Sequence, residues 1–138
     1  MSLIDLIDFK SLGDDRGQLF SVEANQNIPF DIKRVYYMFD MQSDVPRGFH
    51  AHKELQQVAI CIKGSCKLVM DDGTNKEEVI IDKPNTGIVI DKLIWHEMHD
   101  FSDDCILMVI ASDLYDESDY LRQYDQFLGQ LNRDEVFR

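Results

Sequence analysis

Cysteine, proline and tryptophan are scarce in this 138-residue chain, with three, three and one respectively. Cys61, Cys66 and Cys105 are odd in number, sit in apolar stretches and lack metal-ligand spacing. They are expected to be buried thiols, not a disulfide framework or a nucleophile. Long apolar runs are missing too: a stretch such as 105–111 falls far short of the roughly 20 residues a spanning helix needs. The opening MSLIDLIDFK mixes acids with apolar residues and lacks the basic start of a secretory signal, so a cytoplasmic protein is expected. Positive charge is also short, with 14 Lys and Arg against 26 Asp and Glu and a formal net charge of −12. That balance excludes a general attraction to nucleic acid or to an anionic membrane. An anionic ligand would have to be met by a few arginines gathered at one place. No Pro/Gly/Ser-rich linker, low-complexity tract or internal repeat divides residues 1–138, which are expected to form one domain with a sizeable core.

What is present is a succession of short segments with strand character, at 18–23, 32–39, 48–52, 56–62, 65–70, 77–82, 87–90, 94–98 and 105–111. Turn residues separate them, most clearly Asp71-Asp72-Gly73, where Asp and Gly tolerate the positive φ of a tight hairpin. Many short strands at this spacing predict an all-β sandwich or barrel. The exception is the end: Tyr120, Leu121, Tyr124, Phe127, Leu128 and Leu131 recur at three- and four-residue intervals. This spacing predicts an amphipathic helix over 116–131, capped by Asp116 or Ser118 and packed against the barrel.

The segment with most chemical content is Pro46-Arg47-Gly48-Phe49-His50-Ala51-His52. Side chains alternate along a strand, so His50 and His52 share a face and can address one small ligand or one metal ion. Trp95-His96-Glu97-Met98-His99 holds the other two histidines; Ile94, His96 and Met98 share a face, which makes His96 the candidate and leaves His99 at a strand end. On the strand at 32–39, Arg34 and Tyr36 share a face while Tyr37 points the other way. Tyr36 is therefore the candidate hydroxyl, and Tyr37 is assigned to packing.

The pattern His50-Ala51-His52, Gln57, Gly64, with Trp95-His96 later, resembles the two motifs of the cupin superfamily of small jelly-roll barrels. In metal-binding cupins two histidines, a glutamate and a later histidine hold the ion. Gln57 stands at the glutamate position, and a neutral amide brings no charge to a divalent cation. A metallo-cupin built on His50, His52 and His96 is therefore the second reading. A closer resemblance spans nearly the whole chain. Asp15-Arg16-Gly17, Ile32-Lys33-Arg34-Val35-Tyr36-Tyr37, the Pro46–His52 string, Trp95-His96-Glu97-Met98-His99-Asp100-Phe101 and Ala111-Ser112-Asp113-Leu114-Tyr115-Asp116-Glu117 are together similar to the dTDP-sugar 3,4-ketoisomerases.

This resemblance implies a cupin jelly-roll barrel (a double-stranded β-helix) with a C-terminal α-helix, acting without metal or other cofactor. It implies a dTDP-linked 4-keto-6-deoxyhexose as substrate, with the keto group moved from C4 to C3, and products that feed 3-amino-3,6-dideoxy sugars. Such an isomerisation needs a base near the working pH, an acid and oxyanion donors. His52 is expected as the principal base and His50 as its partner in proton transfer. Arg16, Arg34, Tyr36, Arg47, Gln57 and His96 are expected to bind substrate, the arginines meeting the diphosphate through their planar forks. Arg16 and His96 lean the product toward the galacto configuration. The resemblance and an apolar outer face at Val35, Tyr37 and Phe39 together point to a homodimer, with exchanged N-terminal strands as its finer form. A non-catalytic sugar-binding cupin is the reading from outside enzymology.

Overall fold

In the computed structural model residues 2–136 are described. Ten strands form two antiparallel five-stranded sheets. The first has the order β1 (Leu6–Asp8), β7 (Thr86–Ile90), β4 (Gln57–Lys63), β9 (Ile106–Ala111), β2 (Arg34–Met38). The second runs β10 (Tyr120–Leu121), β3 (Arg47–His52), β8 (Trp95–His99), β5 (Cys66–Asp71), β6 (Lys76–Ile81). Apart from the β5–β6 hairpin, all neighbours are non-consecutive, which gives the jelly-roll crossing of the cupin fold. The hydrophobic core lies between the sheets, where Ala59, Leu68, Met70, Ile88, Ile90, Leu107 and Val109 are buried. Cys61, Cys66 and Cys105 are buried there as free thiols, with 3.9 Å between the sulfurs of Cys61 and Cys105.

The central part of each outer sheet face is also covered, which explains why β4 reads as a nearly continuous apolar run. On the first sheet, Phe9, Ile28 and Phe30 from the N-terminal loop pack on Val58, Ile60 and Ile110. The expected strand at 18–23 is not formed. Phe20 and Val22 rest half-buried on this cluster, held by side-chain packing, and the segment joins neither sheet. On the second sheet, α1 (Tyr124–Val136) lays Phe127, Leu128 and Leu131 against Ala51, Leu93, Trp95 and Leu121.

The helix expected over 116–131 starts later. Asp116 does cap, but it caps a single 3₁₀ turn at Glu117–Asp119 by accepting from the Ser118 amide. Tyr120 and Leu121 then pair with His52 and Ala51 as β10. Backbone pairing with β3 outcompetes continued helix there, since Leu121 reaches the apolar cluster only from an extended backbone. The rings of Trp95, Tyr124 and Phe127 lie 5.3–5.9 Å apart in edge-on and tilted arrangements, each such pair contributing about 0.5–1.5 kcal/mol beyond area burial. The β5–β6 turn matches its sequence signal. Gly73 has φ 93°, and a Cβ there would stand 2.5 Å from Leu131 Cδ1, so glycine serves both the turn and the helix seat.

Candidate active site

Strand register builds the site. His50 of β3 lies opposite His96 of β8, and His52 lies opposite Tyr120 of β10. Cross-strand partners on one face are close neighbours, so four rings converge. The centroid of His50 is 4.6 Å from His96, 5.0 Å from His52 and 5.0 Å from Tyr120, and His52 is 4.4 Å from Tyr120. A β-bulge between Gly48 and His50 shapes the approach; Gly48 has φ 91° and Phe49 φ 59°. Such irregularities bend a strand and re-aim its side chains.

The imidazoles are held in defined protonation states. His50 Nδ1 lies 3.1 Å from the Gly48 carbonyl oxygen, and His96 Nδ1 lies 3.1 Å from that of Ile94. A carbonyl only accepts, so both rings carry their proton on Nδ1 and leave Nε2 with its lone pair. Burial is the main cause that pushes all three rings toward the neutral form, His50 moderately and His52 and His96 down to about 3. Nitrogens of His50, His52 and His96 lie within 4.8 Å of one another. That limit admits the roughly 3.4 Å between ligands of a tetrahedral ion with bonds near 2.05 Å. The three rings are the residues here that could hold a metal.

A cavity of about 360 Å³ opens in front of His50, walled by Arg34, Tyr36 and Met38 from β2, by Arg47 and by Tyr120 and Arg122. Burial raises the Tyr36 phenol to about 12, so it remains a donor. It donates to Gln57 Oε1 at 2.5 Å. Arg34 stacks over Tyr36 at 5.1 Å, and Arg122 over Tyr120 at 4.1 Å. Arg122 also donates to Glu117 through Nε at 2.6 Å and Nη2 at 2.9 Å, which holds the Glu117 carboxyl at about 2. Three guanidinium groups thus surround one cavity in a chain of net charge −12. Neutral bases on one wall and cationic forks on another suit proton transfer on an anionic substrate.

Residues 2–132 match the family described as "FdtA: WxcM-like, C-terminal". The chain belongs to this family, that of the sugar 3,4-ketoisomerases. It is 56% identical over 122 residues, 88% of each chain, to a TDP-4-oxo-6-deoxy-alpha-D-glucose-3,4-oxoisomerase of Aneurinibacillus thermoaerophilus. A 3,4-ketoisomerase of Helicobacter canadensis superposes with TM-score 0.91 at 46% identity, over 94% of this chain and 97% of that one. A variant of the Thermoanaerobacterium thermosaccharolyticum 3,4-ketoisomerase, solved with TDP-4-keto-6-deoxyglucose, superposes with TM-score 0.91 at 40% identity, over 96% of both chains.

In this FdtA-family chain, the structure brings together His50, His52, His96, Arg34, Tyr36, Arg47 and Gln57. Arg16 stands apart. It lies on the exposed 14–17 turn, paired with Asp14 at 2.6 Å and 90% exposed. Tyr37 points away from the cavity as expected and is 66% exposed, its ring stacked on Phe39. His99 stays outside, bonded to Glu97 at 2.9 Å. Tyr120, Arg122 and Asp119 were missed by sequence reasoning. Tyr120 and Arg122 flank Leu121 in strand alternation, but the strand is only two residues long, and the helical spacing that follows hides it. Among the described residues, no helix is long and apolar enough to cross a membrane.

Proposed function

We propose that this enzyme moves the keto group of TDP-4-keto-6-deoxyglucose from C4 to C3, with His50 and His52 as its acid–base pair. The observation that carries this reading is a cluster of neutral imidazoles whose front member, His50, borders a cavity rimmed by arginines. The cavity lining favours His50 as the front residue: it borders the large cavity, whereas His52 is 2% exposed and borders a smaller hollow behind it. This reverses the division expected from sequence. A neutral Nε2 takes the proton from C3, the electron pair forms the C3–C4 double bond, and negative charge develops on O4. The O3 hydroxyl proton passes to O4 as the C3 carbonyl forms, and a proton returns to C4. Nothing is oxidised overall. The Arg34 guanidinium is assigned to the oxyanion, where directed donors do most, and the Tyr36 hydroxyl, whose one proton goes to Gln57, offers the sugar its lone pairs. Arg47 and Arg122 meet the diphosphate, with Gln57 and His96 shaping the sugar end.

The finer assignments are proposed on the same footing. His96 favours the galacto-configured product, which a small H4–H5 coupling in its proton NMR spectrum would report. The exposed apolar face of β2, with Val35, Tyr37 and Phe39 all more than half exposed, supports a two-fold homodimer. Strand exchange would offer Arg16 a partner's cavity. Sedimentation equilibrium at micromolar concentration tests the dimer, and a persistent 16.1 kDa species refutes it.

The nitrogen spacing of the three histidines favours one second reading, a metal-dependent isomerase. Bound transition metal near one equivalent, with activity lost on chelation, would establish it. The deciding experiment for the main reading is incubation with TDP-4-keto-6-deoxyglucose in deuterated water. The expected result is a 3-keto product carrying deuterium at C4; binding without turnover or exchange refutes an isomerase and leaves a sugar-binding cupin.

A further inference from the structure

The structure assigns to Asp119 a positioning role in the isomerisation: its carboxylate fixes the ring orientation and tautomer of His52 and balances the charge when that ring takes a proton. This inference rests on the isomerase reading above. His50 and His96 each hand their Nδ1 proton to the carbonyl two residues earlier, but His52 does not. Both of its nitrogens lack a well-directed hydrogen-bond partner although the ring is buried, and buried polar groups are rarely left unpaired. The acceptor at hand is Asp119 Oδ2, 3.3 Å from His52 Nδ1.

That carboxylate is itself pinned. Oδ1 accepts from the Glu54 amide at 2.9 Å and Oδ2 from the Leu55 amide at 3.2 Å. The Asp119 carbonyl accepts from the Lys53 amide at 3.0 Å, and its own amide donates to Asp116 at 3.1 Å. Two amides on the carboxylate and two bonds on its own backbone fix Asp119 at both ends, and they place the anion against the back of one imidazole. So placed, the carboxylate is the acceptor for a proton on His52 Nδ1, which leaves the Nε2 lone pair free. Arg34, Arg122 and the other two imidazoles all disfavour a proton on His52. A charged acceptor behind this ring opposes them, whereas the carbonyls behind His50 and His96 are uncharged.

The test uses the full-length enzyme with ¹⁵N-labelled histidine. Long-range ¹H–¹⁵N correlation reads the tautomer of each ring without substrate, so it stands whether or not the isomerase reading does. The His52 signals are identified by their loss in His52→Asn. In the wild type, His52 is expected as the Nδ1–H form. In Asp119→Asn, whose amide can donate to Nδ1, the Nε2–H form should gain, kcat should fall about 10- to 100-fold and KM should stay within about threefold. Finding His52 as Nε2–H in the wild type overturns the proposal, even if Asp119→Asn fails to fold. A folded Asp119→Asn with wild-type kcat and tautomer, changed only in thermal stability, also overturns it, by showing that Asp119 merely ties the 113–122 segment to the barrel.

Discussion

The hydrogen bond between Tyr36 and Gln57 joins the cavity wall to the core, and its removal has a calculable cost. Tyr36→Phe keeps the ring under Arg34 but deletes the donor at 2.5 Å from Gln57 Oε1. Gln57 is 1% exposed, so no solvent replaces the lost partner. A hydrogen bond is worth about 1 kcal/mol net, and an orphaned buried acceptor costs about 1–3 kcal/mol. A loss near 2 kcal/mol is therefore expected, or a Tm lower by roughly 6–10 °C for a chain of this length. Urea unfolding followed through Trp95, the single tryptophan, should show a lower midpoint at an unchanged slope. Gln57→Met removes the acceptor in turn, and the double variant closes a thermodynamic cycle. A coupling energy of about 1–2 kcal/mol is expected. Additive single effects, or a Tyr36→Phe loss below about 0.5 kcal/mol, would refute the bond as an element of the fold.

The other predictions concern the site and its acid sensitivity. His50→Asn should lower kcat on the order of 10²-fold or more with TDP affinity retained; near-wild-type turnover in the folded variant removes His50 from proton transfer. Arg47→Lys keeps charge but loses the planar fork, so calorimetric TDP affinity should fall about tenfold, and an unchanged Kd would place the phosphates elsewhere. Gly48→Ala forces a side chain into φ 91°, with its Cβ 3.0 Å from the His96 carbonyl oxygen. Both Tm and kcat should drop as β3 is pushed off β8, and a variant with both intact would show the bulge to be idle. The folded state holds His52 and His96 neutral down to about pH 3, while the unfolded chain protonates them near pH 6.5. Below that point the unfolded state binds more protons, so stability is highest above about pH 7. It should fall by up to about 2.7 kcal/mol per pH unit as the pH drops through 6 toward 3. A flat denaturation midpoint between pH 7 and 5 would contradict burial of these rings in the neutral form.

Much of this arrangement was legible before any coordinates. Period-two alternation gave His50 with His52 and Arg34 with Tyr36 their common faces, and the turn chemistry of Asp71-Asp72-Gly73 located a hairpin. What alternation cannot supply is a partner. Gln18 to Glu23 has the composition of a strand, but composition does not say whether a free sheet edge lies beside it. The same gap hid β1, three residues interrupted by acids, and β10, two residues ahead of a stronger helical pattern. Tyr120, Asp119 and Arg122 belong to the site through that short pairing with β3, so their roles depend on a contact about 70 residues away in sequence. The proximity of Asp119 to His52 follows from it and from no local motif.

Strand β2 carries two surfaces on five residues. Arg34, Tyr36 and Met38 wall the cavity, while Val35 and Tyr37 stand exposed behind them. One backbone thickness separates the two. In the dimer proposed above, a ligand that shifts this strand through Arg34 would disturb the surface on which the second copy rests. Affinity for the ligand and affinity between copies would then be linked functions, each changing the other by the same factor.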